Sequence, residues 1–126
     1  MEQAKIDSLR DMQLQAYYNI ALSYALLAKF ERALWPLSKC IQLEPKVIKY
    51  RMERGKVYQS LQLFDEAIED FSWVIHNNRG NAHAYFRRAF AHKAVKDFVK
   101  AAEDFEKAKN LDPMNEKLVV SHKHLK

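Results

Sequence analysis

The chain has 126 residues, with 21 Lys and Arg against 16 Asp and Glu, for a formal charge of +5. At this length one domain buries roughly two-thirds of its unfolded surface, so a core forms without disulfide or metal staples. Two glycines and three prolines are too few for the turn every ~8–12 residues of a sandwich or barrel, and one cysteine permits neither an internal disulfide nor a zinc-binding pair.

No run approaches the ~18 apolar residues of a membrane span, and Glu2, Lys5, Asp7, Arg10 and Asp11 interrupt any signal-peptide apolar core. The composition is all-helical, and the expected setting is intracellular and cytoplasmic, with nothing to separate it from nucleus or cilium. The C-terminal residues, Val119 to Lys126, carry no stop signal and read as part of something longer.

In chain order, residues 1–13 read as an N-terminal helical extension, because Ile6, Leu9 and Gln13 run into the next segment without a breaker. From residue 14 the sequence repeats with a step of 34. Ala33, Ala67 and Ala101 keep that step, each followed four positions later by Leu37, Phe71 or Phe105. Small Ala21, Gly55 and Ala89 keep it too, with Tyr24, Tyr58 and His92 three positions on. Pro45 and Pro113 lie two steps apart, with Arg79 midway. The units are 14–47, 48–81 and 82–115, each two helices and a short turn: about 14–28 and 30–43, 47–61 and 64–77, 82–95 and 97–110. The small columns let paired helices approach, and large side chains such as Tyr24 and Phe71 fill the gaps between units. Pro36 should kink the second helix. Gly80 and Asn81 read as a helix stop and an N-cap. Residues 116–126 supply a capping helix, with Leu118, Val119, His122 and Leu125 at helical spacing.

These columns resemble the tetratricopeptide repeat (TPR) family, whose pattern runs aromatic, Leu, Gly, Tyr, then Ala-x-x-x-Phe and Pro. Repeat one supplies Tyr17, Ile20, Ala21, Tyr24, Ala33, Leu37 and Pro45; repeat three supplies Tyr85, Arg88, Ala89, His92, Ala101, Phe105 and Pro113. Repeat two departs, with Arg51 and Arg54 in early apolar columns, and recovers at Gly55, Tyr58, Ala67 and Phe71. The resemblance implies an all-α, right-handed helix-turn-helix solenoid of three repeats with a C-terminal capping helix. It also implies a non-catalytic scaffold or adaptor whose first helices line a concave groove for a partner peptide.

In that register the groove side chains are Gln15, Tyr18, Asn19 and Leu22 from repeat one, then Lys49, Met52, Glu53 and Lys56 from repeat two. Repeat three adds His83, Phe86, Arg87, Phe90 and Lys93. Lys49, Arg51, Arg54 and Lys56 make the first helix of repeat two basic, while Asp65, Glu66, Glu69 and Asp70 make its second acidic. A basic concave wall with apolar anchors would suit a peptide carrying acidic and large apolar residues. The carboxylate clamp by which some TPR domains hold acidic chaperone tails maps onto Tyr18, Leu22, Glu53, His83 and Arg87. Only Arg87 matches, and the Glu53 carboxylate would repel the ligand. A chaperone tail therefore remains an alternative that needs a divergent clamp.

No catalytic, metal or cofactor constellation emerges. His76, His83 and His92 are scattered, His122 and His124 point to different faces, and Cys40 lies beside apolar Leu37 and Ile41 as a buried thiol would. RNA binding by a basic solenoid is disfavoured, because the positive excess is spread thinly and acidic runs such as Asp65–Asp70 repel phosphate. The chain is expected to be a monomer without a membrane partner.

Overall fold

A computed structural model describes residues 1–115 of the chain; the expected capping helix at 116–126 lies outside the described residues. Among the described residues six helices follow in order: α1 Glu2–Leu26, α2 Phe30–Leu43, α3 Ile48–Ser60, α4 Phe64–Asn77, α5 Ala82–Ala94 and α6 Phe98–Leu111. No strand occurs among the described residues. Helices pack as pairs, α1 with α2, α3 with α4 and α5 with α6, and each pair meets the next through α2 on α3 and α4 on α5.

Residues 2–13 are not a separate helix: α1 runs unbroken for 25 residues, against 13 each for α3 and α5. α2 likewise continues through the buried Pro36 as one helix. Gly80 does not stop α4, which ends at Asn77. It lies exposed in the following loop, where its N–H donates to Asn78 Oδ1 (3.3 Å), and no described glycine has positive φ. Asn81 does cap α5, accepting from the Ala84 N–H at 3.0 Å, and Asp97 caps α6 through Lys100 N–H at 3.3 Å.

The turn inside each pair is made the same way three times. Ala28, Gln62 and Lys96 hold φ of 59°, 62° and 67°. The next residue's N–H closes each helix end on the carbonyl of Tyr24 (2.8 Å), Tyr58 (2.8 Å) or His92 (2.9 Å). This is the Schellman arrangement, normally given to glycine because a Cβ is disfavoured in the left-handed region.

The small columns sit at closest contact. Ala33, Ala67, Ala89 and Ala101 are wholly buried and Ala21 nearly so. A Cβ on Gly55 would fall 2.6 Å from the Phe71 ring, so only glycine lets α3 lie this close to α4. Core clusters join successive pairs: Leu14, Cys40, Ile41 and Tyr50 in one, Ala21, Ala33, Leu37 and Val57 in another. The third gathers Val74, Ile75, Ala84, Tyr85 and Ala108.

A polar ladder threads the same interfaces. Arg54 forks onto Asp70 (2.8 and 2.8 Å) and reaches back to Ser38 on the preceding pair (3.3 Å). One repeat on, Arg88 forks onto Asp104 (2.7 and 2.8 Å) and reaches back to Ser72 (3.2 Å). Both carboxylates are buried, and hydrogen bonding to them raises the pKa of each arginine. Arg51 adds a longer contact to Asp70 (3.4 Å) and stacks on Trp73. In repeat one the arginine and aspartate columns hold Ile20 and Pro36, so the first unit has no such fork.

Candidate functional site

The ladder corrects the charge reading. Arg51, Arg54 and Arg88 spend their charge on Asp70 and Asp104 between helices, because bidentate pairing with a buried carboxylate outweighs exposure to solvent. They are structural cations, not part of a binding wall.

On α1, α3 and α5 the remaining expected residues fall into two patches. Asp11, Gln15, Tyr18 and Asn19 of α1 face Lys49 and Tyr50 of α3 across a cleft of about 540 Å³, with Leu14 at its floor. Lys49 Nζ lies 4.7 Å from the Tyr18 ring centre and 5.6 Å from that of Tyr50, and the two rings meet tilted with centres 5.5 Å apart. Such cation–π contacts hold the ammonium in place while leaving its hydrogens free to donate. Burial, then the nearby Glu53, raises the Tyr18 pKa, so its hydroxyl stays protonated as a donor.

The second patch belongs to repeat three. Phe86 and Phe90 meet edge-on at 4.9 Å, and both pack on the buried Phe105, at 5.8 and 5.2 Å. Phe90 remains 38% exposed. The His83 ring lies 6.5 Å from Phe86. Arg87 is half-buried; its carbonyl accepts from Gln59 Nε2 (2.9 Å), and its Nε is buried without a hydrogen-bond acceptor among the described residues.

Other expected residues are committed elsewhere or stand apart. Lys56 pairs with Glu53 at 3.0 Å. Met52 packs against the Val74 and Tyr85 core cluster. Leu22 is half-buried and Lys93 exposed. Sequence reasoning missed Asp11 and Tyr50. Asp11 was findable: it lies one heptad before Tyr18, and an unbroken α1 puts both on one face.

Cys40 is fully buried, its Sγ–H donating to the Leu14 carbonyl (3.7 Å), and burial raises its pKa. Among the described residues no group of three His, Cys, Asp or Glu could hold a metal, and no helix is long and apolar enough to cross a membrane.

Family models for the tetratricopeptide repeat match residues 14–47 and 82–115. The chain belongs to the tetratricopeptide repeat family. As a TPR chain it is a protein–protein interaction module. It is 33% identical over 84 residues to human sperm-associated antigen 1, a match that covers 67% of this chain and only 9% of that protein. Its fold is similar to the first TPR of Spaghetti (RPAP3) bound to the HSP90 peptide SRMEEVD, with a TM-score of 0.85 at 22% identity over 90% of each chain. It is equally similar (0.85, 22%) to the second TPR domain of human RPAP3 in complex with the HSP70 peptide SGPTIEEVD, over 92% of this chain and 97% of that one.

Proposed function

We propose that the first-helix face, from the Tyr18–Lys49 cleft to the Phe86–Phe90 edge, binds a partner peptide and that the chain acts as a non-catalytic adaptor. One observation carries the reading: a lysine held on two tyrosine rings beside amide side chains, with an exposed aromatic edge on the same set of helices. A matching ligand presents an acid to Lys49 and Arg87 and a large apolar residue to Phe90. The exposed charges contribute only ~0.2–1 kcal/mol each and steer encounter, whereas an aromatic anchor in a packed pocket contributes ~2 kcal/mol or more.

A second reading, an acidic chaperone tail, draws support from the two similar folds that carry HSP90 and HSP70 peptides. Asp11 in the cleft and Glu53 at its side weigh against a purely acidic ligand.

Titrating the full chain with labelled SRMEEVD beside a peptide that pairs acids with Leu or Phe separates the two. The adaptor reading expects the second peptide to bind tighter, and Phe90→Ala to weaken it more than Lys93→Ala does. Tight SRMEEVD binding that survives Phe90→Ala would transfer the function to the chaperone-tail reading.

A further inference from the structure

α1 carries a third face that neither the core nor the cleft uses. Leu9, Gln13, Ala16, Ile20 and Ser23 of the helix and Leu27 at its C-cap follow one another by alternating steps of four and three, the spacing of a coiled-coil seam. All six are exposed, Leu9 and Leu27 at 65% and Ile20 at 38%. One repeat on, the same columns are the seam between units: Tyr50 and Val57 are buried against the preceding pair, and two repeats on so is Ala84, with Ala91 also buried. The stripe on α1 is thus the counterpart of an inter-unit packing surface that lies exposed among the described residues, lengthened by the 25-residue helix.

The residues say what fits it. The two seams between described units set a serine opposite their arginine, Ser38 for Arg54 and Ser72 for Arg88. Ile20 in that column has no donor, so the occupant must offer a small or apolar residue there. α1 itself does. Placing two copies antiparallel about position 18 sets Leu9 opposite Leu27 of the second copy, Gln13 opposite its Ser23 and Ala16 opposite its Ile20. Each layer is apolar, hydrogen-bonded or large against small. The stripe carries no charge, and Asp7 and Asp11 lie on other faces of the helix, so no like charges meet. Eighteen residues separate Leu9 from Leu27, about 27 Å of contact at 1.5 Å per residue.

We propose that α1 is a homodimerisation helix and that the occupant of this face is α1 of a second copy, paired antiparallel from Leu9 to Leu27. The chain then associates rather than standing as the monomer its composition led one to expect. Because Gln15, Tyr18 and Asn19 point to a different side, both clefts stay open and the dimer is bivalent, raising avidity for paired ligands.

Sedimentation of the full chain over a wide concentration range tests this. A reversible monomer–dimer equilibrium is expected, shifted to monomer by Ile20→Glu with the far-UV circular dichroism unchanged, and untouched by Val99→Glu at an exposed position of α6. Register is read by mixing two single variants, Ala16→Cys and Ile20→Cys: oxidation should link the mixture and neither variant alone. A monomer at every concentration, a dimer indifferent to Ile20→Glu, or open-ended polymers from stacking on another copy's repeat three would each overturn the proposal. A dimer in which the mixture fails to cross-link would overturn the antiparallel register.

Discussion

Repeat one and repeats two and three solve the same packing problem with different chemistry. Where the later units place an Arg–Asp fork with a serine behind it, the first places Ile20 and Pro36. A fork can be satisfied only by the right neighbour, because an unpaired buried charge is costly. It therefore fixes which helix follows which. An apolar seam accepts any surface of the right shape, which suits a face that meets another molecule.

The largest expected effect comes from breaking a fork on one side. Asp70→Ala leaves Arg54 and Arg51 without their carboxylate and should cost about 3 kcal/mol, at the low end for a buried pair because both arginines are partly exposed. Converting the pair together to Arg54→Met with Asp70→Leu, which makes these columns apolar as Ile20 and Pro36 do in repeat one, should recover most of the loss. Urea melts of the single and double variants read this directly. A double variant as unstable as Asp70→Ala would mean that the fork does more than satisfy itself.

Next comes the close approach of α3 to α4. Gly55→Ala drives a methyl into the Phe71 ring and should cost on the order of 1–3 kcal/mol, overriding alanine's better helix propensity. Ala21 and Ala89 already carry that methyl in their units. The exposed Gly80, whose added Cβ meets nothing nearer than Asn78 Oδ1 at 3.7 Å, is the control, and Gly80→Ala should leave the thermal midpoint in place.

How much of this was legible beforehand follows from what a period can encode. The small columns and helix pairs show in sequence because each is a requirement on one residue, such as no side chain at Gly55. The fork is harder, since Arg54, Asp70 and Ser38 are 16 residues apart in each direction, and a charge count sees only a basic helix beside an acidic one. The stop expected at Gly80 failed because glycine permits a left-handed turn without requiring one. The real left-handed positions, Ala28, Gln62 and Lys96, carry no glycine and gave no signal. In the binding face, the first-helix columns located Tyr18, Lys49 and Phe90. They could not show that Lys56 is paired with Glu53 or that Met52 packs against the core.

His92 separates repeat three from its neighbours, which have tyrosine in that column. Its ring is buried, its Nε2 3.7 Å from Asp104, with Arg88, Asp97 and Lys100 also in range. Burial outweighs the carboxylates and lowers its pKa below the ordinary 6.5. The unfolded chain therefore takes up a proton that the folded one resists. The stability concerned is complete above pH 6.5 and is lost as the pH falls from there through the folded value. His92→Gln should flatten that slope in chemical melts at stepped pH. A slope that survives the change would assign it to another group.

The smallest effect tests what the repeats share. Ala28, Gln62 and Lys96 each hold a Cβ in the left-handed region at the same turn, and glycine there removes the steric cost while giving back part of it as unfolded-chain entropy. Each of Ala28→Gly, Gln62→Gly and Lys96→Gly should therefore raise stability by about 0.5 kcal/mol. Because the Schellman bonds are alike in all three units, at 2.8, 2.8 and 2.9 Å, the gains should be equal and additive. Repeat one differs from the others at its seam and not at its turn. A gain confined to one repeat in the thermal midpoints would show that the difference in seam chemistry reaches the turns.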